Sequence, residues 1–172
     1  MPILVSSFSA TTRARLTYLD LDVPCSVGRG GTTQSKKEGD ECTPIGKWPL
    51  RRVFFRPDRL TKPTTKLPTV PITKRMGWSD DPSDNVNYNR LIETPYAFNH
   101  EVFWRTDNIY DVIVELGYND LPPILGKGSA IFMHIVSQDF GPTAGCISLE
   151  KSSLLTLLEK IGERENVYVT GK

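Results

Sequence analysis

The segment Ser129 to Val136, "SAIFMHIV", is apolar at almost every position, and it constrains the fold more than any other stretch. A strand that faces water on one side alternates apolar and polar residues, whereas an unbroken apolar run needs cover on both faces. The segment therefore reads as a central strand. "YDVIVELGY", Tyr110 to Tyr118, alternates and gives a second strong strand signal. "ILVSSF" (Ile3 to Phe8) and "ARLTYLDLD" (Ala14 to Asp22) read as an opening hairpin, and "NVYV" (Asn166 to Val169) as a closing strand. "KWPLRRVFF" (Lys47 to Phe55) adds a strand whose start Pro49 marks as an edge or an entry.

Helical spacing stands out in one place. In "EKSSLLTLLEKIG", Leu154, Leu155, Leu157, Leu158 and Ile161 share a face, with Gly162 as the expected stop. The span Arg56 to Asn89 is rich in Pro, Thr, Asp and Asn and reads as a long surface loop with little regular structure. The expectation is a mainly β fold with one clear helix, formed as one domain over residues 1–172.

Composition narrows the partners. There are 21 basic and 20 acidic residues, a formal net charge of +1, which leaves no basic field to hold nucleic acid. The apolar runs are too short to span a bilayer, and the N-terminus lacks the basic segment and apolar core of a signal peptide. With two histidines in the chain and no Cys-x-x-Cys, a zinc site is not expected. Cys25 and Cys42 read as structural thiols or as a disulfide.

The chemistry concentrates downstream of the central strand. His134 lies near the strand's end, a loop with Gly141 and Pro142 follows, and Gly145-Cys146 comes just before the helix. This order can bring imidazole and thiol together as base and nucleophile. Gly145 leaves its backbone open, so the amides of Gly145 and Cys146 are candidates to hold an oxyanion. A buried, inert thiol and a core histidine fit the same spacing.

"IFMHI" followed by "GPTAGCISL" resembles the signature of the YkuD-type L,D-transpeptidase catalytic domain: a strand histidine, a variable loop, then Ser/Thr-x-Gly-Cys. The matching residues are His134, Thr143, Gly145 and Cys146. Upstream, Thr43, Pro44, Ile45 and Gly46 occupy the family's Thr-Pro-x-Gly segment before a strand. The resemblance runs from about Val27 to the C-terminal strand. It implies a β-sandwich-like fold and a cysteine acyltransferase that cross-links peptidoglycan stem peptides through a thioester on Cys146. His134 would be the base, no metal or organic cofactor would be needed, and the site would face the periplasm or cell wall.

Two residues depart from the family pattern. Ala144 stands where many members have histidine, and Ser148 where many have arginine or asparagine. Substrate contacts are then expected from Thr143 and from loop residues Trp78, Tyr88, Asn89, Arg105 and Asp107, with Arg105 suited to an anionic peptide. The same Cys–His site with water as acceptor would give an L,D-carboxypeptidase or endopeptidase. Without chemistry, the fold would be a peptidoglycan-binding module.

Overall fold

Strands are the dominant regular structure in the computed structural model, which describes residues 1–7 and 12–171. β1 (Ile3–Ser7) and β2 (Arg13–Tyr18) form the expected antiparallel hairpin, and β3 (Leu21–Ser26) continues it. Phe8, expected in the first strand, lies outside the described residues. β4 (Thr32–Thr33) and β5 (Thr43–Pro44) make a short parallel pair. β6 (Gly46–Phe55) is the longest strand, with β7 (Thr69–Pro71) parallel to its end. β8 (Met76–Ser79), β9 (Leu91–Glu93) and β10 (His100–Val102) form a separate three-stranded sheet in the order β10-β8-β9. β11 (Val112–Leu116), β12 (Phe132–Ile135), β13 (Ile147–Leu149), α1 (Lys151–Lys160) and β14 (Asn166–Gly171) complete the chain.

The large sheet runs β11-β12-β13-β3-β2-β1-β14-β6-β7, and β6 also pairs with β11. That extra pairing rolls the sheet into a ring, a barrel-like form of the sandwich-like, mainly β fold expected. Its inner residues, among them Val5, Leu16, Val53, Val114, Met133 and Leu149, form the main core. Leu154, Leu157, Leu158 and Ile161 are buried in that same core, as the helical spacing requires.

Two expectations need correction. Pro49 marks neither an edge nor an entry: it sits inside β6, paired with Asn166 of β14, and its carbonyl accepts from the Gly117 amide at 2.8 Å. Proline there removes only its own donor and leaves the carbonyl usable. Arg56 to Asn89 is not wholly loop, since β7 and β8 lie within it. The helix does stop just before Gly162, as expected. Ile161 turns extended at the helix end and its amide bonds to Leu157 O at 3.1 Å.

On β12 the period of two separates structure from chemistry. Met133 and Ile135 point into the main core, whereas Phe132 joins a second cluster with Cys146, Tyr110, Trp78 and Phe103. His134 shares the Phe132 face. This double burial is why the segment reads as unbroken apolar sequence.

Candidate active site

β12 and β13 run parallel, with His134 opposite Ser148 and Met133 opposite Ile147. One residue before β13, Cys146 comes opposite Phe132, whose amide donates to the Cys146 Sγ at 3.4 Å. Cys146 and His134 are thus diagonal neighbours on one face. Both line a cavity of about 460 Å³ with Arg105, Tyr110, Thr143 and Ser148.

The imidazole is fixed. Its Nδ1 lies 2.8 Å from the carbonyl oxygen of Ile135, which can only accept, so Nδ1 carries the proton and Nε2 keeps its lone pair. The Tyr110 ring stands edge-on to it, with centroids 5.3 Å apart. Burial lowers the His134 pKa to about 4, so the ring is neutral at pH 7.

Cys146 is also buried, and burial raises its thiol to about 12. Its Sγ donates to the Ala130 carbonyl at 3.2 Å. The resting pair is therefore a neutral thiol beside a neutral imidazole, each bonded to backbone. Lowering of the thiol pKa by an adjacent imidazolium is not present in this state.

The turn that carries Cys146 is tied on both sides. Thr143 Oγ1 donates to Cys146 O at 2.6 Å and accepts from Gly145 N at 3.1 Å. The Gly145 amide therefore serves an oxyanion only by giving up that bond, whereas no bond from the Cys146 amide needs to be broken among those described for the turn. Thr43 Oγ1 accepts from Gly28 N and donates to Gly145 O, both at 2.8 Å. Thr43 of the Thr-Pro-x-Gly segment thus pins the cysteine turn, a role its sequence context alone does not reveal.

Gly145 has φ +134°, and a Cβ there would lie 2.9 Å from the Cys42 carbonyl oxygen. Gly145→Ala is expected to cost about 2 kcal/mol through backbone strain and that clash. Urea unfolding measures it, and a loss below about 0.5 kcal/mol would show that the turn relaxes freely.

The loop candidates divide. Arg105 and Thr143 line the cavity. Arg105 stacks over Tyr110 and is forked onto Asp107 at 2.9 and 2.6 Å. Trp78 and Tyr88 do not line the cavity. Trp78 is buried between aromatic rings, its indole N–H donating to Asn89 Oδ1 at 2.9 Å. Tyr88 is buried with its hydroxyl donating to Glu38 and accepting from the Gly128 amide. Both are large, amphipathic side chains: the second cluster claims the Trp78 ring, and the hydroxyl bonds to Glu38 and Gly128 hold the buried Tyr88. Asn89 is a hub: Oδ1 accepts from Trp78 and from the Ala130 amide, while Nδ2 donates to the Tyr118 and Asn119 carbonyls. All three cysteines are free thiols, so Cys25 and Cys42 are not paired. His100 orders its loop through the Phe98 carbonyl, 2.8 Å away.

Sequence reasoning passed over Glu38, Asp80, Glu101 and Tyr110 on the cavity wall. Asp80 sits in "SDDPSDN", within the stretch that reads as a surface loop, and it follows directly on the β8–β10 pairing at the wall of the cavity that Cys146 also lines.

A rolled β sheet presenting one cysteine and one histidine to a shared cavity defines the class of the protein: a β domain with a cysteine–histidine pocket. The family model for the YkuD L,D-transpeptidase catalytic domain matches residues 8–169, and the chain belongs to that family. Among solved structures, L,D-transpeptidase 1 of Mycobacterium tuberculosis is similar with 10% identity and a TM-score of 0.40. The match covers 99% of this chain and 62% of that one, so this chain spans less than two thirds of that protein's length. No curated protein sequence matches. No helix among the described residues is long and apolar enough to cross a membrane.

Proposed function

We propose that the protein is a cysteine-dependent L,D-transpeptidase that forms peptidoglycan stem-peptide cross-links, with residues 1–172 acting as one catalytic domain. The observation that carries this reading is the placement of Cys146 and His134 on one face of adjacent strands, in a shared cavity, with Nε2 of the imidazole left as the acceptor. The substrate class follows from family membership. A substrate of that kind places the site on the periplasmic or cell-wall side.

In this mechanism the thiol turns from the Ala130 carbonyl toward Nε2. As sulfur attacks the donor carbonyl, its proton passes to His134 and the Cys146 amide donates to the oxyanion. Collapse expels the amine leaving group, which takes the proton from the imidazolium and leaves a thioester. The acceptor amine then attacks the thioester. His134 removes its proton and returns one to the departing sulfur. Burial suits this concerted route, because neither charged partner has to persist in the apolar site. Thr143 and Arg105 would contact the donor, and no metal or cofactor takes part.

The test is mass spectrometry of purified disaccharide-tetrapeptide and related stems incubated with the protein and with Cys146→Ala. Cross-linked dimers or exchanged terminal residues formed by the parent protein alone are expected. Shortened stems without dimers would make it an L,D-carboxypeptidase or endopeptidase. Unchanged stems across the donor panel would overturn the enzymatic reading in favour of a binding module.

A further inference from the structure

The cavity beside Cys146 is acidic once its ion pairs are accounted for. Arg105 is neutralised by Asp107, and Lys36 by Asp40. Glu41 is itself paired with Arg29 at 2.7 Å. Three lining carboxylates then remain with no Lys or Arg in ion-pair contact among the described residues: Glu38, Asp80 and Glu101. Glu38 accepts only neutral donors, the Tyr88 and Ser129 hydroxyls, and Glu101 accepts from the Tyr110 hydroxyl at 3.2 Å.

Asp80 is less satisfied still. Its Oδ1 is buried with no hydrogen-bond partner, and so is the Oγ of Ser148, a side chain only 1% exposed on the same cavity wall. Burial, then Glu101 and Glu38, push the Asp80 carboxyl up to about 6, against smaller lowering effects from a hydrogen bond of its own backbone amide and from His100. Unpaired carboxylates gathered in a half-closed space cost stability unless a cation offsets them. No three His, Cys, Asp or Glu side chains among the described residues converge closely enough to hold a metal ion. Carboxylates that share a cavity wall without converging on one point fit a cation whose several N–H donors can be divided among them.

We propose that Asp80, Glu101 and Glu38 form a subsite beside Cys146 for a primary ammonium group, carried either by the acyl donor or by the amine that accepts the acyl group. The carboxylates carry the cation preference; only the assignment of its bearer to the cell-wall peptides rests on the function proposed above. The same subsite explains how Cys146 works despite the nearby Glu101 charge, which disfavours a thiolate. A bound ammonium offsets that charge when substrate is present.

The test uses charged methanethiosulfonates on the whole protein, with modification at Cys146 read by peptide mass spectrometry. The rate with the cationic trimethylammonioethyl reagent, divided by that with the anionic sulfonatoethyl reagent, is compared with the same quotient for free cysteine. At low salt the protein's quotient is expected to exceed that of free cysteine by at least about tenfold, and to fall as salt screens the carboxylates. Asp80→Asn and Glu101→Gln should each reduce it several-fold. A quotient equal to that of free cysteine, or one unmoved by both variants, overturns the proposal. This readout needs no peptidoglycan turnover, so it stands apart from the stem assay.

Where stems are turned over, acetylation identifies the bearer: the acetylated donor is compared by KM, and the acetylated acceptor, which can no longer take the acyl group, by its inhibition constant against the KM of the free acceptor. The partner whose acetylation weakens binding to the parent protein, but not to Asp80→Asn, is the one that occupies the subsite. Weakening for neither partner overturns the assignment to cell-wall peptides.

Discussion

Alkylation of Cys146 by iodoacetamide at pH 7 is expected to run roughly 100-fold slower than that of an unhindered cysteine, and to climb with pH beyond 10 without a plateau. A thiol held at about 12 carries some three orders of magnitude less thiolate than one at the ordinary value of about 8.5. The greater nucleophilicity of the more basic thiolate recovers only part of that deficit, since its Brønsted slope is about 0.4–0.5. His134→Ala should leave this profile almost unchanged, because the imidazole is neutral above about pH 4 and is not bonded to the sulfur.

Acyl transfer should respond differently. Loss of the base is expected to lower thioester formation by about 10²–10⁴-fold. In the parent protein this step should switch on as His134 loses its proton near pH 4, and stay level above that as far as this group is concerned. Peptide-resolved alkylation kinetics and single-turnover acylation measure the two. An alkylation plateau between pH 5 and 8 that disappears in His134→Ala would establish a thiolate–imidazolium pair and sink the neutral-pair account.

Asn89→Ala is expected to destabilise the fold by about 3–5 kcal/mol, a large share of the 5–15 kcal/mol typical of a domain. The substitution strips the buried Trp78 indole N–H and the Ala130 amide of their acceptor, and leaves the Tyr118 and Asn119 carbonyls without a donor. Asn89 itself has φ +56°, a conformation that asparagine tolerates better than alanine. Ala130 is also left-handed, at φ +52°, and its carbonyl is the acceptor for the Cys146 thiol. The loss should therefore reach the nucleophile as well as the midpoint. Urea unfolding checks the first effect, and faster Cys146 alkylation at fixed pH checks the second. A cost under about 1 kcal/mol would mean that water satisfies the freed groups and the hub is dispensable.

The sequence made the scaffold more legible than the wall of the site. β11 and α1 follow from patterns of two and 3.6, and β12 from an unbroken apolar run, because burial on one face or on both leaves its own trace in the sequence. His134 and Cys146 stand out because histidine and cysteine are rare in the chain. Trp78 and Tyr88 looked like substrate contacts because aromatic residues in a polar stretch suggest a binding loop. Both rings are instead buried, that of Trp78 in the second cluster, to which β8 contributes only once the chain has folded. Asp80 was hidden for the opposite reason. An aspartate among other acidic and polar residues has no local mark to distinguish a cavity wall from a solvated turn.

β14 lies between β1 and β6, parallel to one and antiparallel to the other. The ring is thus closed by the last of the strands described. Without it β1 and β6 each expose an unpaired edge, the kind of edge that templates pairing with another chain. A chain shortened before Asn166 should therefore be captured by chaperones or aggregate rather than fold.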